Sequence, residues 1–151
     1  MTTLSAEAAN FSWLLDNFVK SVPDVRHTLV VSADGLLMAM SDELDRTQGD
    51  QMSAIVAGMS SLTRGASRQL GGGDVRQAIV EMDAMFMFLM NISDGSVLAV
   101  VADASCDVGL VGYEMAMLVS RTEATLTPQL VTEMRSRLPV HGETRAAAAN
   151  G

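Results

Sequence analysis

Apolar residues recur along the chain with two different periods, and each change of period marks a new element. Over residues 9 to 22, Phe11, Leu14, Leu15, Phe18, Val19 and Val22 take the i, i+3, i+4, i+7 spacing of a helix with one apolar face. Pro23 ends that helix. Next, "VRHTLVVSADGLLMAMS" holds two β-rich runs around Ala33-Asp34-Gly35, where Gly35 supplies the positive φ of a tight turn. The same grammar returns in "MFMFLMNISDGSVLAVVAD" around Ser93-Asp94-Gly95, without amounting to a true repeat. Between the two hairpins lie a polar loop, a long helical stretch from roughly 48 to 70, and a strand at 75 to 83. Thr47 with Asp50 three residues on matches a capping box at the start of the long helix. After the second hairpin, "SCDVGLVGYEMAMLVSR" predicts a helix opening near Asp107, with Val111, Met115 and Leu118 on one side. Pro128 then opens a short helix to about Leu138.

This order fixes the fold class. Five strands joined so closely within hairpins cannot be parallel, so the chain is expected to be an α+β domain with a five-stranded antiparallel sheet. In the second hairpin Phe86, Phe88 and Met90 point one way while Met85, Met87 and Leu89 point the other. Apolar on both faces, those strands should lie centrally, with helices on both sides of the sheet. Residues 1–8 are expected to be a flexible lead, 9–122 the folded domain, 123–138 a short C-terminal helix and 139–151 a frayed tail.

The long helix has two unlike sides. Met52, Ile55, Val56, Met59, Leu62, Thr63, Ala66 and Leu70 form the stripe expected to face the core. Opposite runs a line of small residues, Ala54, Gly58, Ser61 and Gly65, where an exposed helix would carry Lys, Glu or Gln. Two interior glycines each cost about 1 kcal/mol relative to alanine, so something is expected to approach that surface closely. A homodimer follows: the small line admits a second copy of the helix, and Val75, Gln77 and Ile79 of the next strand extend the sheet into the partner, closing an open edge. The alternatives are cover by the chain's own loop 41–50 and simple drift to small residues. Trp13 falls opposite the apolar stripe of the first helix and is a candidate partner contact, with cover by the C-terminal helix as the other reading.

Composition narrows the function classes. A chain of 151 residues fits one domain. The apolar share of 48% and a mean hydropathy of +0.24 mean that most elements bury more than one face. The longest apolar run, "MFMFLMNI", is far short of the roughly 20 residues that span a bilayer, and "MTTLSAEAAN" lacks the basic and apolar regions of a secretory signal. A cytoplasmic protein without membrane insertion is expected. A net charge of −8 and a pI near 4.5 oppose binding to nucleic acid or anionic lipid. The single cysteine, Cys106, has no companion for a disulfide or zinc site and is expected to act as a small buried hydrophobe.

The candidate chemistry is sparse. In "RQLGGGDVRQ" the glycines Gly71, Gly72 and Gly73 follow a helix instead of preceding one, so they meet its negative end, and no lysine stands near. Glycine there is a helix stop. His27 sits in a strand and His141 in the tail, neither with partners for a metal site, and Asp34 and Asp94 serve as turn residues. No catalytic residues, cofactor or metal are therefore expected, and the chain is not read as an enzyme. Arg64, Arg68 and Arg76 crowd the end of the long helix, where they suit its negative terminus and could meet an acidic partner.

The order of elements, the hairpins "VVSADGLLMAM" and "NISDGSVLAVVA", and the long helix ending in glycines resemble the roadblock family of dynein light chains, over about residues 9 to 122. The resemblance is to the bacterial members encoded beside small Ras-like GTPases, in operons that include a kinase-like protein. It implies a profilin-like sheet with the long helix on one face and the first and last helices on the other, and a homodimer with one continuous sheet. It further implies a regulator or scaffold of a small GTPase that holds no nucleotide of its own. Some such regulators insert an arginine into the GTPase site, and Arg64 and Arg68 are the candidates here. Two alternatives remain at the level of sequence: a purely structural adaptor, and a small-molecule sensor using a pocket lined by some of the twelve methionines.

Overall fold

The computed structural model describes residues 6–92, 95–125 and 136. Its elements are α1 (Ala6–Ser21), β1 (Val25–Val31), β2 (Leu37–Met40), α2 (Arg46–Leu70), β3 (Gln77–Glu81), β4 (Met85–Asn91), β5 (Val97–Asp103) and α3 (Val108–Thr125). The strands form one antiparallel sheet in the order β2-β1-β5-β4-β3. β4 and β5 are internal, as their two apolar faces require, and β3 is an edge.

Each face of the sheet carries its own core. On one, Leu15 and Phe18 of α1 and Val111, Met115 and Leu118 of α3 pack against Val30, Phe88, Leu98 and Val100. On the other, Val56 of α2 and Leu44 of the preceding loop pack against Leu29, Val31, Leu37, Met87, Leu89 and Ala99. The alternation along β4 thus divides its side chains between the layers as the sequence pattern predicts, with Met85 exposed at the strand's start. Gly35 (φ 87°) and Gly95 (φ 92°) turn the two hairpins, and Ser93 and Asp94 lie outside the described residues. Asp107 caps α3, its carboxylate accepting the Leu110 N–H at 3.1 Å.

Three expectations need correction. Helix α2 is capped by Asp45 and not by Thr47: Asp45 is extended (φ −76°, ψ 158°) and its side chain accepts the Gln48 N–H, while Asp50 is engaged by Arg46 at 2.9 Å. The third strand is shorter than 75–83, because the N–H of Met82 already bonds the carbonyl of Met85 in the turn to β4. The largest difference concerns which side of α2 faces the core. Its buried residues are Gly49, Ser53, Val56 and Ser60, with Met52 and Met59 half-buried beside them. Ile55, Leu62 and Leu70, expected in the core, are 50%, 76% and 84% exposed, and Ala66 is exposed as well. At 100° per residue the buried arc is turned by roughly 80° from the predicted one.

Close approach is the physical reason. A Cβ built on Gly49 would sit 3.0 Å from both Leu37 Cδ2 and Met40 Sδ, so the first turns of α2 lie against the sheet with no room for a larger residue. Ser53 tolerates burial because its hydroxyl donates to the Gly49 carbonyl at 2.8 Å. Small inward residues bring the helix down onto β1 and β2, and the bulky ones remain outside. The expected helix from Pro128 to Leu138 and the tail from 139 lie outside the described residues, Ser136 excepted.

Candidate functional site

The helix stop reads in the structure as in the sequence. Gly71 takes the left-handed conformation (φ 65°, ψ 35°) with its N–H on the Ser67 carbonyl, and the Gly72 N–H reaches the same oxygen at 2.9 Å. Carbonyls, not N–H groups, end the helix at this point, so the glycines form no phosphate cradle. Among the described residues no cluster of three or more His, Cys, Asp or Glu could hold a metal. His27 lies on β1 opposite Val101, its Nδ1 buried and without a partner among the described residues, and His141 lies outside them. Burial raises the Cys106 thiol above its ordinary value, reinforced by the charges of Asp24, Asp107 and Asp103, so it stays protonated and packs against the α1/α3 core.

The surface that remains is the outer side of α2. Ala54, Gly58 and Ser61 are exposed and Gly65 is half-exposed, in a row along the helix. A Cβ on Gly58 would meet nothing within 4 Å, so no residue of the chain's own loop 41–50 sits over that position. Ile55 and Leu62 border the row on one side. The small-residue line was legible in the sequence; its apolar border was assigned to the core and so missed.

Edge strand β3 continues this surface. Ala78 and Val80 pack on the α2 side of the sheet, half-buried, and are the residues that sequence reasoning passed over there. Gln77 and Ile79 fall on the opposite, α1/α3 side by alternation, with Ile79 44% exposed because those helices stop short of the edge. Val75 precedes the strand, its carbonyl held by Asn91 Nδ2 at 2.6 Å. Trp13 is 62% exposed on α1, across the sheet from α2, so it shares no surface with the row of small residues.

Arg64 and Arg68 do come together, and with Arg76. All three line an open groove of about 880 Å³ at one end of the sheet, between the last turns of α2 and α3. Buried methionines Met38, Met87 and Met115 belong to the two packed cores, and Met90 is the one methionine lining this groove. No described helix is long and apolar enough to cross a membrane.

Comparison with known proteins agrees with this architecture. No curated protein matches the chain. A Roadblock/LC7 domain from Streptomyces avermitilis is 38% identical, with a TM-score of 0.72 over 75% of this chain and 94% of that one. Myxococcus xanthus MglB superposes with a TM-score of 0.73 over 82% of this chain and 92% of that one, at 14% identity, a likeness of fold alone. Acanthamoeba castellanii profilin IB superposes more loosely, with a TM-score of 0.51 at 14% identity over 76% of this chain and 97% of that one. The family model described as the Roadblock/LC7 domain matches residues 11–102, a span that takes in the long helix, four strands and all but the last residue of β5, and the chain belongs to that family.

Proposed function

We propose that this chain is a non-catalytic, homodimeric platform that regulates or scaffolds a small Ras-like GTPase in a bacterial signalling complex. The observation that carries the reading is the outer side of α2: a bare row of Ala54, Gly58, Ser61 and Gly65 beside the exposed Ile55 and Leu62. Bulky apolar side chains next to a surface that another backbone can approach closely form the pattern of an interface core. Edge strand β3 lies at the sheet's open margin, so a second copy would lengthen the sheet through its outward backbone groups. A solved MglB structure, 14% identical with a TM-score of 0.73 over 89% of this chain and 96% of that one, has a tetrameric arrangement, in keeping with family members that associate. The roadblock resemblance supplies the GTPase, and a kinase-like protein of the same operon is a further candidate partner.

Two measurements test this reading together. Sedimentation at micromolar concentration should show a dimer of the 16.0 kDa chain. A pull-down with the GTPase encoded nearby, loaded with GDP or a GTP analogue, should show binding that depends on the nucleotide. A monomer that retains no GTPase in either state overturns it. Arg64 and Arg68 are the candidates for a direct effect on hydrolysis, and replacing both with alanine should slow stimulated GTP turnover if either enters the GTPase site. An unchanged rate with intact binding assigns the chain to scaffolding.

A further inference from the structure

The groove at the end of the sheet has a charge opposite to that of the molecule. Val75, Met90, Ile92 and Val119 supply apolar lining, and Arg64, Arg68 and Arg76 stand around them with Asp74 and Glu123. Three guanidiniums against two carboxylates make this a locally positive place on a chain of net charge −8. Arg26 and Arg46, by contrast, are engaged, pairing with Asp103 and Asp50, each at 2.9 Å. Arg64, Arg68 and Arg76 have no carboxylate within ion-pair distance among the described residues. Arg64 and Arg68 stand one turn apart, roughly 90° and 50° round the axis of α2 from the row of small residues, and Arg68 Nη2 lies 3.9 Å from where a Cβ on Gly65 would sit, so dimerisation across the outer side would leave Arg64 the more accessible of the two.

We propose that this groove binds an acidic peptide segment of a partner protein, with one apolar side chain among its carboxylates. Each part of that description answers a feature of the site. The volume is that of a pocket for a few side chains rather than for a folded surface. Apolar lining offers a place for an aliphatic anchor, and guanidinium forks bind carboxylates in bidentate fashion. Asp74 and Glu123 set limits: they repel a dense polyphosphate chain, whereas a carboxylate beside an aliphatic residue can address the arginines alone. The chain's net charge of −8 repels acidic chains, so the contrast in sign also orients the incoming segment. This assignment stands independently of the GTPase reading, because its test contains no GTPase.

The probe is a fluorescein-labelled peptide of glutamates with a single central leucine, followed by anisotropy and by amide chemical shifts. Saturable binding is expected, with shifts at Asn91, Ile92 and Val119, groove residues outside the proposed dimer seam, and with affinity that falls as salt is raised. R64A/R68A/R76A should weaken binding by about tenfold or more, while R64K/R68K/R76K, which keeps the charge, should retain a larger share. A peptide with lysine in place of glutamate, or serine in place of leucine, should bind far less. Equal binding of the lysine peptide, shifts confined to the Ile55 and Leu62 side of α2, or displacement by inorganic polyphosphate at equal charge would each overturn the assignment.

Discussion

The two faces of the sheet solve the same packing problem in opposite ways. Over one face, α1 and α3 turn their bulky residues inward: Leu15, Val111 and Met115 are fully buried. Over the other, α2 turns in Gly49, Ser53, Val56 and Ser60 and leaves Ile55 and Leu62 outside. A helix that presents large side chains to a sheet sits away from it and completes a core. One that presents small residues sits close and carries its greasy residues on the far side, so its layer is finished only when something covers it. The first face is a property of one chain, and the second fits a surface shared between chains.

Removing side chains from the finished face should have the largest effect. Met115→Ala empties a position with no solvent exposure and should cost about 2–5 kcal/mol of folding stability. The loss should appear in the urea midpoint at every protein concentration, since the contact lies within one chain.

On the unfinished face the expected signature differs in kind. Leu62→Glu alters a residue that is 76% exposed, so a single subunit should fold with little loss. A charge buried at a dimer interface should instead raise the dimer dissociation constant by about a hundredfold, read by sedimentation, and remove the concentration dependence of the urea midpoint. If Leu62→Glu destabilised the isolated subunit as Met115→Ala does, the contrast between the faces would fail.

The same contrast runs through one helix at Gly49 and Gly58. Alanine at 49 places a methyl 3.0 Å from Leu37 Cδ2 and Met40 Sδ, and should destabilise the subunit by about 1–2 kcal/mol despite the better helix former. Alanine at 58 meets nothing within 4 Å and should stabilise the subunit by about 0.5–1 kcal/mol, while weakening association if a second helix packs there. Thermal melts of the two variants, at low and high protein concentration, separate these terms.

Most of the fold was legible because strand and helix periods differ and because turns need particular residues. β4 announced its two-sided burial, and Gly35, Gly71 and Gly95 each occupy the positive φ that their positions demand. The rotation of α2 was not legible, since its stripe of large apolar residues and its inner arc of Gly49, Ser53, Val56 and Ser60 adjoin each other. A hydrophobic count favours the larger residues, whereas depth of approach to the sheet is a tertiary property. The arginine groove was half legible: Arg64, Arg68 and Arg76 are near in sequence, but Met90, Ile92 and Val119 join them only through the sheet and α3.

The smallest expected effect lies where the finished layer meets the chain leading into the unfinished one. Asp16 of α1 accepts the Asp42 N–H at 3.0 Å, tying the helix to the loop before α2. Partial burial raises its carboxyl above the ordinary value of 3.8, and the nearby Asp42 charge acts in the same direction, while the Asp42 N–H and Lys20 oppose them. A raised carboxyl binds its proton more tightly in the folded state, so the folded chain takes up protons before the unfolded one as pH falls. Stability is then relieved of a penalty as pH drops through the folded value, and carries it in full above that value. Asp16→Asn keeps an oxygen to accept the Asp42 N–H and removes the charge. It should raise the urea midpoint slightly near neutral pH, and the advantage over the parent should shrink as pH is lowered toward 3.8. An advantage that stayed constant across that range would show that the hydrogen bond, and not the burial of a charge, governs this junction between the two layers.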